Sequence, residues 1–156
     1  MQGNPEIVEL LNEVLTAELT AINQYFLHAK IMEDWGYHRL AEHTKHESID
    51  EMKHAERVTD RVLYFEALPN YQRYFPLRIG ETVPEMFEAD RALEYEAVDR
   101  LNRAIAKAVE VGDNGSRELF ESILVSEEDH INWLETQLTT IEQIGVENYL
   151  AQQLHD

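Results

Sequence analysis

The stretch His46-Glu47-Ser48-Ile49-Asp50-Glu51-Met52-Lys53-His54 decides the fold. Glu51 and His54 stand three residues apart, a spacing that puts both side chains on one face of a helix. A carboxylate beside an imidazole can hold one transition-metal ion. The same Glu-x-x-His spacing recurs at Glu127 and His130. One such pair means little, because Glu and His are common on solvated helix faces. Its weight comes from the rest of the chain.

Around this stretch the apolar spacing predicts a helix over about 38–66, with the stripe Leu40, Glu47, Glu51, His54, Val58, Val62 and Phe65. The middle of that stripe is polar and its end apolar. Leu68-Pro69-Asn70 then breaks the helix. Upstream, a helix over about 5–35 is expected, with Glu18 falling between Leu15 and Ile22 on its apolar face. A helix over 82–111 follows, with Thr82 and Glu85 as a capping box and Glu94 on the apolar stripe. A fourth is expected from Ser116, as its cap, to residue 144, with a short amphipathic piece over 146–154. Residues 67–81 carry no helical period. A connection of that length suits a crossover between parallel second and third helices, as in ferritin-like bundles. The expected fold is therefore all-α, a ferritin-like four-helix bundle in one domain over 1–156, with a long crossover and a short fifth helix.

The polar residues on the apolar stripes form an internal repeat. Glu18 and Glu51 are 51 − 18 = 33 residues apart, and so are Glu94 and Glu127 (127 − 94 = 33), each second Glu being followed by x-x-His. Six residues thus meet in one core: Glu18, Glu51, His54, Glu94, Glu127 and His130. Four carboxylates together repel and raise one another's pKa, and two divalent cations remove that cost. Oxygen and imidazole donors without thiolate suit iron or manganese, with zinc able to compete. The set matches that of di-iron carboxylate bundles, with Glu51 and Glu127 placed to bridge and Glu18 and Glu94 as terminal ligands. Tyr25, seven residues after Glu18 on the same face, either packs the core or serves the centre by a hydrogen bond or an electron.

Composition narrows the function. With 31 Asp and Glu against 13 Lys and Arg, the net charge of −18 argues against nucleic-acid binding. Absence of cysteine excludes disulfides, zinc–thiolate sites and rubredoxin-type electron-transfer modules. No apolar run reaches the length of a membrane span, and residues 1–5 lack signal-peptide features, so a soluble cytoplasmic protein is expected.

On Ala21-Ile22-Asn23-Gln24-Tyr25-Phe26-Leu27-His28-Ala29, Glu47 to Ala55, Glu127-Glu128-Asp129-His130-Ile131 and Trp133-Leu134-Glu135-Thr136, the chain resembles the bacterioferritins over nearly its whole length. The resemblance implies iron storage in a 24-subunit shell, with a ferroxidase that oxidises Fe(II) with O2 or H2O2 at a di-iron centre. It also implies haem b between two subunits, held by one Met from each; Met52 matches that position and points away from the Glu51/His54 face. Leu19, Asn23 and Phe26 would supply a second apolar face for that two-fold contact. His46 and Asp50 form an i, i+4 pair that stands either as an inner-surface iron site or as a solvated pair. A small ferredoxin is the implied reductant. Two other readings remain: another di-metal oxidase or peroxidase on the same bundle, or a haem-binding shell subunit without turnover.

Overall fold

The computed structural model of the chain describes residues 1–154; the last two residues of the expected 1–156 domain lie outside the described residues. Four long helices and a short one follow in order: α1 (Pro5–Asp34), α2 (His38–Tyr64), α3 (Val83–Val111), α4 (Asn114–Ile144) and α5 (Val146–Ala151). No strand occurs among the described residues, and the all-α bundle with its fifth helix is as expected.

Helix ends follow local chemistry. Asn4 caps α1 by accepting the N–H of Glu6 at 2.8 Å, with Pro5 in the first turn. Thr82 accepts the N–H of Glu85, but Glu85 reaches back to the N–H of Glu81, so the expected box closes one residue early. Gly112, at φ 76°, takes the left-handed turn that ends α3. The expected Ser116 cap of α4 is corrected to Asp113, whose carboxylate accepts both the N–H and the hydroxyl of Ser116. A carboxylate at a helix N-terminus gains from the dipole as well as the bond. The fifth helix stops at Ala151, three residues short of expectation, and 152–154 turn.

The tight turn at 35–37 makes α1 and α2 antiparallel neighbours. Ion pairs Lys107–Glu6 and Arg100–Glu13 set α3 antiparallel to α1 as well, so α2 and α3 run parallel. The crossover that permits this has no secondary structure of its own. Four of its backbone N–H groups are taken up by a ladder of side chains four or eight residues apart on α1. Asn12 accepts from Asn70 (2.8 Å), Thr20 from Phe75 (2.9 Å), Gln24 from Arg78 (3.0 Å) and His28 from Gly80 (3.1 Å). Polar side chains on a core helix thus replace the partners that a strand or helix would have given these amides. At Gly80 a Cβ would lie 2.3 Å from the Met86 nitrogen, so only glycine lets the segment press against the start of α3.

The interior divides into two apolar clusters. One gathers Leu11, Leu15, Val58, Leu101 and Phe120 with their neighbours. The other gathers Met32, Leu40, Phe87, Leu134 and Tyr149. A layer of buried polar side chains lies between them.

Candidate metal centre

Each long helix sends polar side chains into that layer from near its middle. Glu18, Glu51, Glu94 and Glu127 are at most 2 % exposed, and His54 and His130 are 8 % and 6 % exposed. The structure brings all six together. Their donor atoms fall into two sets, Glu18, Glu51, His54 and Glu127, and Glu51, Glu94, Glu127 and His130, each within 4.8 Å of one another. Glu51 and Glu127 belong to both. His54 Nδ1 lies 3.5 Å from Glu18 Oε2 and 3.3 Å from Glu127 Oε1. His130 Nδ1 lies 3.1 Å from Glu51 Oε1 and 3.5 Å from Glu94 Oε1.

These contacts are too long or too badly aimed to be hydrogen bonds. Glu18 Oε2, both Glu51 oxygens, His54 Nδ1, Glu94 Oε2, Glu127 Oε1 and His130 Nδ1 are buried without a partner. Orphaned buried polar atoms cost about 1–3 kcal/mol each, so so many in one place call for an explanation. Divalent cations supply one, because these atoms are all metal donors and face two common points.

The charges are strained in the same sense. Burial, then the charges of Glu51 and Glu94, push the Glu127 carboxyl well above the usual range. Burial and Glu51 raise Glu94 too. Burial also opposes ionisation of Glu51, but the two histidines outweigh it and hold this carboxyl at about 2. Burial disfavours the His130 cation, yet the adjoining carboxylates of Glu51 and Glu94 lift its pKa to about 12. The metal-free cluster therefore holds protons where cations would sit.

Tyr25 is buried, and its hydroxyl donates to Glu94 Oε1. Its ring meets His130 edge-on at 6.3 Å, so it both packs and bonds. Burial, then Glu94, raise its pKa well above the ordinary value.

Two further carboxylates were not assigned from sequence. Glu47, 6 % exposed, contacts His43 Nε2 at 2.6 Å through Oε1, while its Oε2 lies 3.2 Å from His130 Nδ1. His43 in turn stacks on Trp133 at 3.7 Å. Asp90, 2 % exposed, receives Gln24 and His28. Burial pushes its carboxyl up, against the hydrogen bond from His28. Both stand four residues before a centre carboxylate, on an apolar stripe, and that position was the available signal.

Met52 is 54 % exposed and lies outside the centre. It lines a groove with Leu19, Ile22, Ile49 and Tyr71. Leu19 lines that groove but, against expectation, is also buried in the first apolar cluster, while Asn23 and Phe26 face outward. His46 is 72 % exposed at the side chain, with Nδ1 3.6 Å from Asp50 Oδ2. Asp50 also lies 3.5 Å from His130 Nε2.

Comparison with known proteins bears on this arrangement. The family model for the ferritin-like domain matches residues 8–144. The chain is 59 % identical over 152 residues to the bacterioferritin of Mycolicibacterium paratuberculosis, covering 97 % of this chain and 96 % of that one. It is 56 % identical to the bacterioferritin of Streptomyces coelicolor, covering 97 % and 90 %. The chain belongs to the bacterioferritin family. Like the match itself, the polar layer of this bacterioferritin-family chain draws on all four long helices. No helix among its described residues is long and apolar enough to cross a membrane.

Proposed function

We propose that the chain stores iron and is a ferroxidase, with Fe(II) as the substrate of the six-residue centre. The observation that carries this reading is the pair of overlapping donor sets sharing Glu51 and Glu127, with their buried donor atoms unpartnered. Membership of the bacterioferritin family supports it.

Glu51 and Glu127 bridge two ions. Glu18 and His54 complete one position, and Glu94 and His130 the other. Four carboxylates balance the charge of two Fe(II). Two metals held by shared carboxylates can each give one electron to O2 or H2O2, with protons consumed from solvent. Tyr25 orients Glu94 through its hydroxyl. Ferric product passes to the interior of a 24-subunit shell in the cytoplasm. His46 and Asp50, at the His130 edge, suit an inner-surface iron position.

Haem b is proposed between two copies, where Met52 of each would hold it. The half-exposed thioether in an apolar groove fits such a group. When bound, haem supplies one-electron redox chemistry, and a small ferredoxin is the proposed donor for iron release. Phe26, Ile49 and Met52, all exposed on the single chain, are covered in such a pair.

Aerobic titration of Fe(II) into metal-free protein tests the centre. Rapid oxidation is expected in the wild type, with loss in Glu51→Ala and His130→Ala. Oxidation at the wild-type rate in either variant overturns the assignment. Gel filtration near 24 times the 18.2 kDa chain mass supports the shell; a dimer points to another di-metal oxidase on this bundle.

A further inference from the structure

The buried group with the most unexplained connections outside the centre is Asp90. It stands on α3 one turn before Glu94 and is 2 % exposed. Its Oδ1 accepts from two α1 side chains at once, Gln24 Nε2 and His28 Nδ1, both at 2.9 Å. His28 Nε2 accepts the N–H of Gly80, which fixes the ring's proton on Nδ1 and directs it at Asp90. Gln24 uses its other end in the same way, its Oε1 accepting from Arg78. One carboxylate oxygen therefore joins α3, two turns of α1 and the last part of the crossover.

The placement of this junction links it to the centre. Gln24 precedes Tyr25, and Asp90 precedes Glu94 by one turn. The bonds Gln24–Asp90 and Tyr25–Glu94 run between the same two helices, side by side. Sliding or rotating α1 on α3 enough to break one moves the other. Both bonds run through the polar layer, with the two apolar clusters to either side of it.

We propose that Asp90 is a positioning residue for the Glu94/His130 half of the centre. It holds α3 in register on α1, so that Glu94 meets Tyr25 and its metal position together, and it ties that register to the crossover through His28 and Gln24. The two ligands particular to the other half, Glu18 and His54, come from α1 and α2, whose packing on each other does not pass through Asp90. Its effect is therefore one-sided. This rests on the di-metal reading above.

The experiment uses Co(II), which air does not oxidise and whose visible bands report its coordination. The assembled protein is titrated with Co(II), and the two binding steps are identified by which is lost in Glu18→Ala and which in Glu94→Ala. In Asp90→Ala the Glu94 step is expected to weaken by about tenfold or more, the usual cost of losing a buried group that orients a ligand, with the Glu18 step unchanged. Asp90→Asn keeps an oxygen where both donors converge and is expected to retain the wild-type profile. Thr20→Val removes a rung of the crossover ladder away from Asp90 and is expected to lower the melting temperature with both steps intact. If Asp90→Ala does not assemble, Gln24→Leu removes one of the two donors and is expected to show the same one-sided loss.

A wild type that binds fewer than two Co(II) per chain overturns the di-metal reading, and this inference with it. With two bound, unchanged steps in both Asp90→Ala and Gln24→Leu overturn this inference alone. So does equal weakening of both steps, which marks general loosening. Loss in Asp90→Asn as large as in Asp90→Ala assigns the effect to charge and overturns it too.

Discussion

Nδ1 of His54 and Oε1 of Glu127 face each other at 3.3 Å, from α2 and α4, and neither has a hydrogen-bond partner although both are buried. A proton on either atom relieves the pair in part. A cation between them and their neighbours relieves it more fully, since it also meets Glu18 and Glu51. This competition between protons and metal leads to the first expected result.

Metal binding is expected to release protons and to strengthen as pH rises. His130 is lifted to about 12, and Glu94 and Glu127 are raised, so all three hold protons more tightly than in an unfolded chain. Each proton must leave before its atom binds metal, so lower pH favours the metal-free form. Co(II) affinity is expected to be weaker at pH ~6 than at pH ~8, with proton uptake by buffer visible in calorimetry in two buffers of different ionisation enthalpy. Affinity independent of pH would contradict the placement of these groups in the site.

Glu127→Gln separates stability from activity. A raised carboxyl pKa stabilises the fold below the ordinary carboxylate pKa, and that contribution is lost as pH rises through the folded value. A neutral amide escapes the loss. Metal-free Glu127→Gln is therefore expected to melt at or above metal-free wild type, with the difference widening as pH increases. Its Fe(II) oxidation is expected to fall by about a hundredfold or more, because a shared ligand is gone. Thermal melts across pH and stopped-flow absorbance measure the two halves.

Tyr25→Phe keeps the ring edge-on to His130 and deletes only the hydroxyl bonded to Glu94. A buried carboxylate that loses its donor costs about 1–3 kcal/mol. Lower metal-free stability and slower Fe(II) oxidation are expected together. If both stay at wild-type values, Tyr25 serves as packing alone.

Met52→Leu tests the second cofactor independently of the first. The residue is exposed and shares no atom with the centre, so the fold and the Fe(II) oxidation rate are expected to persist. The Soret band of the purified protein is expected to disappear. Retention of the band removes Met52 from haem ligation.

Much of this was legible from spacing. Glu18, Glu51, Glu94 and Glu127 interrupt apolar stripes, and a charge on a core face must be explained by its surroundings. The long helices were visible for the same reason, since burial imposes a period on them. Asp90 and Glu47 share those stripes, yet neither has a carboxylate 33 residues away, so the repeat that marks Glu18 and Glu94 passes them over. The crossover ladder was hidden for a different reason. Asn12, Thr20, Gln24 and His28 look like ordinary helix residues, and what they bond is backbone, which carries no sequence signature. Leu19 borders two faces of α1, serving both the first apolar cluster and the Met52 groove, and only packing shows that division.

The polar layer between the two apolar clusters has a consequence for how the bundle opens. A helix usually frays from its ends, because the middle is held by the densest core. Here the densest cores lie toward the ends and the mutually repelling charges lie at the centre. Without metal, amide hydrogen exchange is expected to be fastest in the central turns around Glu51, Glu94 and Glu127, with slower segments on both sides. Bound cations close that gap, so the bundle carries its weakest belt at the waist and its cargo is the buckle.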